Sequence, residues 1–162
     1  VILGTLCSLQ MMRTSLGMVE CLRETIRGVI ELEKNARIIL KPHVITDTNS
    51  LDLILQDFSE ADLRICNMHP AIVGRFCDVA ICNAFTTAFV DIKFQGITTL
   101  EYSDYTPKAL ASTSNMSVMP QHVDFFINRN YPQLLITLRR IFGSPNRHVV
   151  RPFFSVRDEV LI

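Results

Sequence analysis

The sequence predicts an α/β protein, a Rossmann-like parallel sheet of about six strands with helices on both faces. Three observations lead there. Short apolar runs rich in β-branched residues alternate with longer stretches whose apolar residues recur at helical spacing. The strand-like runs are separated by helical lengths of chain rather than by two-residue turns, which implies βαβ units and a parallel sheet. The 162 residues are 48% hydrophobic and 20% charged, an ordinary globular balance that supports one buried core without disulfide or metal. No internal repeat or low-complexity tract interrupts the pattern, so residues 1–162 are read as one domain.

Val1-Ile-Leu-Gly-Thr-Leu-Cys7 reads as a buried first strand, followed by a polar loop over 10–17. Because Val1 opens the chain in mid-strand, the chain is expected to be a piece of a longer protein. Val19, Leu22, Ile26, Val29, Ile30 and Leu32 fall largely at helical spacing and predict a helix over 18–34. Ala36 to Lys41 is a second strand, stopped by Pro42, which has no amide to give a neighbouring strand. Asn49 or Ser50 is placed to cap a helix running to Phe58. Leu63 to Cys66 is a third strand, and Ala71 to Phe76 a short helix on the sheet, which makes His69 structural. Asp78 to Cys82 is a fourth strand, followed by a helix from Ala84 to Phe94 that ends near Gly96. Ile97 to Tyr102 is a fifth strand, and, after a Ser/Thr/Asn-rich loop over 112–117, Val123 to Ile127 a sixth. A helix over 131–142 turns Leu134, Leu135, Leu138, Ile141 and Phe142 inward, and Ser155 caps a last one.

Composition narrows the function. Lys+Arg (16) balance Asp+Glu (16), so the chain lacks the basic field that nucleic acid requires. Its cations are 12 Arg and 4 Lys, a mixture suited to local anion contacts. No apolar run approaches the ~20 residues of a membrane span, and nothing at the start reads as a signal peptide. Five Cys form no Cys-x-x-Cys pair, and Cys66, Cys77 and Cys82 lie in or beside apolar runs. They read as reduced, buried thiols of a cytoplasmic protein. The four His and the Cys have no zinc spacing, and neither a metal nor any other cofactor is expected. Gly4-Thr-Leu-Cys-Ser8 lacks the GxGxxG pattern of dinucleotide oxidoreductases. The P-loop and the GxSxG nucleophile elbow are absent as well.

Ligands of open parallel sheets bind beyond the carboxyl ends of the strands. The fourth strand is followed by Asn83-Ala-Phe-Thr-Thr87, where hydroxyls in the first turn of a helix would attract phosphate. The alternative is that Asn83 caps the helix and Thr86 and Thr87 satisfy local backbone. His43, directly after the second strand, is placed to donate to a phosphate or a leaving-group oxygen; otherwise it is a loop residue bonded to backbone. Glu101 closes the fifth strand on the same rim, where a carboxylate accepts two ribose hydroxyls or is simply solvated. Lys41, Asn83 and Glu101 should therefore lie near one rim. His122 and His148 have no convincing partners.

Two segments together carry a resemblance. The first is Ile38-Ile-Leu-Lys-Pro-His43; the second is Cys77-Asp-Val-Ala-Ile-Cys-Asn-Ala-Phe-Thr-Thr-Ala-Phe-Val-Asp-Ile-Lys-Phe-Gln-Gly-Ile-Thr-Thr-Leu-Glu-Tyr102. Over about residues 1–142 the chain resembles the carboxy-terminal, nucleotide-binding half of a GT-B glycosyltransferase. The nearest likeness is to bacterial capsule and surface-polysaccharide transferases, the sialyl-, polysialyl- and Kdo-transferases and the teichoic-acid glycerophosphotransferases. Val44 stands where those families carry a second proline, Thr86 and Thr87 where they carry serines, and Gln95-Gly-Ile-Thr98 where they carry Gly-Lys-Pro. The resemblance implies that His43, as the catalytic group, and the hydroxyls of Thr86 and Thr87 hold the donor phosphate. Asn83 and Glu101 complete the nucleotide site, and a CMP-sugar is the first donor to expect. It also implies a glycan or glycolipid acceptor, a missing amino-terminal domain, no nucleic-acid partner, and peripheral association with the inner face of the membrane. A UDP-sugar 2-epimerase-like isomerase domain shares the same fold half, and a non-catalytic Rossmann-like interaction domain is the third class.

Overall fold

Alternation along the strands sorts side chains onto the two faces of a parallel sheet. The structure, a computed structural model, describes residues 2–3, 15–42 and 48–144. In chain order the elements are β1 (Ile2–Leu3), α1 (Ser15–Leu32), β2 (Ile38–Lys41), α2 (Thr48–Asp57), β3 (Leu63–Ile65) and α3 (Pro70–Val73). Then come β4 (Val79–Cys82), α4 (Ala88–Lys93), β5 (Thr98–Ser103), α5 (Pro107–Ser112), β6 (Phe125–Asn128) and α6 (Tyr131–Phe142). Every strand pairing is parallel, in the order β3-β2-β1-β4-β5-β6. The β2–β3 pair and the β4–β5–β6 group are the substantial parts of the sheet, and the two-residue β1 joins them. The fold is thus α/β with a parallel sheet flanked by helices, an arrangement compatible with a Rossmann-like domain.

One face carries Ile38, Leu40, Val79, Ile81, Leu100, Tyr102 and Ile127, packed under Cys21, Ile26 and Val29 of α1, Leu51 and Ile54 of α2, and Leu134, Leu138 and Ile141 of α6. The other face carries Ala80 and Cys82 under Phe89 and Ile92 of α4. Ile39 lies there too, against Cys66, Val73 and Cys77. Cys21, Cys66, Cys77 and Cys82 are buried thiols outside any disulfide; Cys7 lies outside the described residues.

Several boundaries differ from expectation, each for a local reason. The first strand is described only at Ile2 and Leu3, and the helix capped by Ser155 lies outside the described residues. The helix expected from Ala84 begins at Ala88, because the Asn83 side chain and the Phe85 amide are bonded to Thr25 and Tyr105. It stops at Lys93, and Gly96, at φ 74°, completes the turn. The fifth and sixth strands run one and two residues later than expected, to Ser103 and from Phe125. α5 was hidden in a polar stretch, although Thr106 caps it by accepting the Ala109 amide at 3.2 Å and Pro107 opens it. α6 runs over 131–142 as expected, its amide at Gln133 capped by Asn130 at 3.1 Å.

α1 and α6 approach closely at Gly28. A Cβ there would lie 3.2 Å from Leu138 Cδ1 and 3.4 Å from Leu135 Cδ2. Gly28→Val is therefore expected to destabilise the fold by about 1–3 kcal/mol through overpacking. Urea unfolding checks this; an unchanged midpoint would show that the two helices part without cost.

Candidate functional site

The register lines up one row across the sheet: Lys41, Leu3, Cys82, Glu101 and Phe126. Lys41 ends β2 and Asn83 follows β4 directly, so both stand at the carboxyl rim. Glu101 shares the row but sits two residues inside β5, which continues to Ser103. Strands succeed one another outward to β3 on one side and to β6 on the other. The order therefore reverses between β1 and β4, where open parallel sheets bind ligands. The segment 83–87 leaves β4 at that point.

Asn83 is fixed there rather than at a helix start. Its Nδ2 donates to Thr25 Oγ1 at 2.9 Å and to the Tyr102 carbonyl at 3.1 Å. Thr25 in turn donates to the Cys21 carbonyl at 2.7 Å. Both side-chain amide hydrogens of Asn83 are thus engaged, which leaves the side chain no donor for a phosphate. Among the described residues its buried Oδ1 has no partner. Asn83 ties the end of β4 to α1 and β5, and it does not cap α4.

Thr86 and Thr87 precede α4 instead of forming its first turn. Thr86 is buried and its hydroxyl accepts the Ala88 amide at 3.2 Å, the local satisfaction that the sequence left open as the alternative. Thr87 is the cap position of α4, is exposed, and makes no capping bond through its side chain. His43 lies outside the described residues.

Glu101 is not a solvated strand end. It is 0% exposed and accepts from Ser103 Oγ at 3.0 Å, from Ser117 Oγ at 2.6 Å, and from the Tyr105 hydroxyl. Burial raises its pKa, and these three hydrogen bonds only partly offset the rise. No ribose can reach it in this arrangement. The Tyr105 hydroxyl also accepts the Phe85 amide at 2.8 Å, which joins the carboxylate to the 83–87 segment.

Sequence reading missed the partners that build this rim. Thr25, Tyr105 and Ser117 carry no motif, and only the Tyr at 105 beside the strand end was a visible signal. A second polar group lies at the ends of β5 and β6. Arg129 Nη1 donates to the largely buried Asp104 at 3.2 Å, and its Nη2 is 4.0 Å from Glu24, which accepts from the Tyr102 hydroxyl. Arg129 holds φ at 30°, an uncommon conformation for a non-glycine residue, while its amide donates to the Ser103 carbonyl at 2.8 Å. Burial, then the charges of Glu24 and Asp104, push the neighbouring Cys21 thiol up to about 12, so it is no nucleophile at neutral pH. His69 accepts the Ala71 amide at 3.3 Å and caps α3, a structural role.

Among the described residues no group of three or more His, Cys, Asp or Glu is placed to hold a metal ion. No described helix is long and apolar enough to cross a membrane. Comparison of the chain with protein-family models, with curated proteins and with solved structures gives no match.

The burial of Glu101 sets a pH dependence. A carboxyl whose folded-state pKa is raised holds its proton more tightly when folded. It favours folding below its ordinary 4.5 and costs stability as pH rises from there through the raised value. Glu101→Gln removes that dependence. The stability of Glu101→Gln relative to wild type should therefore climb as pH rises above 4.5 and then level off. Asp124 runs the opposite way: burial opposes its charge, but hydrogen bonds from Lys93 and Thr99 hold it below its ordinary 3.8. That contribution is common to both proteins and cancels in the difference. Denaturant titrations across the range check this, and a difference independent of pH would contradict it.

Proposed function

We propose that this chain is the nucleotide-sugar-binding, Rossmann-like half of a GT-B glycosyltransferase, acting in the cytoplasm at the inner face of the membrane in surface-polysaccharide or glycoconjugate synthesis. Its donor is a CMP-sugar, and its acceptor is a glycan or glycolipid presented by a separate amino-terminal domain. The observation that carries the reading is the place of the 83–87 segment, at the carboxyl end of β4 beside the reversal of strand order. A phosphate there meets the exposed Thr87 hydroxyl and the hydrogen of the Thr86 hydroxyl, whose oxygen accepts the Ala88 amide. In transfer an acceptor hydroxyl, giving its proton to a base of the amino-terminal domain, bonds to the anomeric carbon as the bond from that carbon to the phosphate oxygen breaks. Negative charge then gathers on the departing CMP, where these hydroxyls and His43 stabilise it. In this reading Asn83 and Glu101 shape the site from behind, without touching the donor.

A second reading, a non-catalytic Rossmann-like interaction domain, is favoured by the Thr86–Ala88 bond, which gives the Thr86 oxygen a partner without a ligand. Nucleotide titration separates the two. CMP is expected to bind, and Thr86→Val with Thr87→Val to weaken it by about 1–3 kcal/mol, the size of hydrogen bonds to a charged group. Calorimetry checks this. A preference for UDP would favour the epimerase-like domain, and binding of neither nucleotide the interaction domain.

His43 gives an independent test. Imidazolium binds an anion better than imidazole, so CMP affinity should fall as pH rises from about 6 to 8, around an ordinary His pKa near 6.5. The phosphate's own ionisation near pH 6 opposes this, and His43→Ala reports it alone. Identical pH profiles for the two proteins would remove His43 from the site.

A further inference from the structure

A fully buried carboxylate with no cation beside it is costly unless hydrogen bonds satisfy it. Glu101 is in that position: among the described residues no Lys, Arg or His pairs with it, and Tyr105 is the titratable group at its side. Its partners are three hydroxyls, from Ser103 in its own strand, from Tyr105 just past it, and from Ser117 after α5. The Tyr105 ring is buried and stacked on Phe126, with centroids 6.0 Å apart and planes at 23°, so packing holds the ring without help from Glu101. Packing does not orient the hydroxyl.

A phenol has a single hydrogen. With that hydrogen on Glu101, the oxygen presents its lone pairs to the Phe85 amide, and the 2.8 Å contact is a good hydrogen bond. Ser103 also lies within hydrogen-bond reach of the phenol, but its own hydrogen is on Glu101. Without an acceptor at 101 both hydroxyls therefore lose the group that orients them, and the Phe85 amide loses an oriented partner. Asn83 already fixes the start of the same segment through Thr25 and Tyr102. The two contacts, at residues 83 and 85, tie down the segment that carries Thr86 and Thr87.

We propose that Glu101 is a positioning residue for the 83–87 segment: its carboxylate orients the Tyr105 hydroxyl, which holds the Phe85 amide and sets the Thr86–Thr87 pair for a ligand phosphate. The ligand rests on the nucleotide-binding reading above; the hold on Phe85 does not.

Amide hydrogen exchange at Phe85 and calorimetric titration with CMP, both on the whole chain, test it. Urea unfolding of each variant corrects exchange for global stability. Tyr105→Phe and Glu101→Leu should each speed Phe85 exchange about tenfold and weaken CMP binding. Glu101→Gln keeps an acceptor oxygen for the phenol and should restore most of both. The double variant Glu101→Leu with Tyr105→Phe should be no worse at Phe85 than Tyr105→Phe alone, because the two residues act in one chain. Normal protection of Phe85 in folded Glu101→Leu, or failure of Glu101→Gln to rescue, overturns the proposal. If Glu101→Leu does not fold, unchanged Phe85 exchange in Tyr105→Phe overturns it instead. A wild-type chain that binds neither CMP nor UDP defeats the nucleotide reading alone, and exchange at Phe85 still decides whether Glu101 holds the segment.

Discussion

The polar face of β5 is the constraint on which the rest of the rim depends. Thr99, Glu101 and Ser103 alternate along it and are fully buried, while Leu100 and Tyr102 fill the opposite face under α1 and α6. Polar groups removed from water must find partners, at a cost of about 1–3 kcal/mol for each left unmatched. Each of the three therefore recruits chain from elsewhere. Thr99 donates to the His122 carbonyl at 2.9 Å, and its amide donates to Asp124 at 2.9 Å, which fixes the approach to β6. Lys93 at the end of α4 closes on the same Asp124. Glu101 gathers Ser103, Tyr105 and Ser117. The connection from β5 to β6 is thus shaped by satisfaction of one strand face as much as by its own apolar contacts.

The same requirement explains why the β4–α4 connection is extended. A helix starting at Ala84 would draw Phe85 into a helical turn and break its amide's bond to Tyr105, and it would pull Asn83 from Thr25. Two specific contacts outweigh roughly one turn of helix, whose interior bonds are individually modest and whose first amides are unpaired in any case. The cost is visible in the short α4 and in the Asn83 Oδ1 that finds no partner among the described residues.

What was legible in the sequence is what periodicity encodes. The apolar stripes of α1 and α6, and the arrest of β2 before Pro42, follow from spacing and from one missing amide. The parallel arrangement follows from helical lengths of chain between strands. Side-chain commitments across distant segments were not legible. Glu101 in an alternating strand looks identical whether its face meets water or Ser117, because alternation reports which residues share a face and not what covers it. Asn83 looks like a cap because Asn before a helical stretch usually is one; its actual partner, Thr25, is 58 residues away in sequence. Tyr105, the residue that links Glu101 to the candidate loop, belongs to no motif.

A ligand phosphate at Thr86 and Thr87 would have to compete with what those residues already do, and the magnitudes decide the contest. The bond from the Ala88 amide to Thr86 Oγ1 is neutral and long at 3.2 Å, of a kind worth about 0.5–1.5 kcal/mol net. A bond from the same amide or hydroxyl to a charged phosphate is worth about 1.5–3 kcal/mol. Exchanging the Ala88 amide onto the anion gains roughly 1 kcal/mol, and the Thr86 hydrogen and the Thr87 hydroxyl donate without breaking that bond. Such a margin is small enough that ordering the loop would consume it, since fixing one residue's backbone costs about 1–2 kcal/mol. A loop already held at Asn83 and Phe85 has that ordering done during folding. The buried carboxylate on β5 and a phosphate site on β4 are on this argument one device, in which folding supplies the order that binding alone could not.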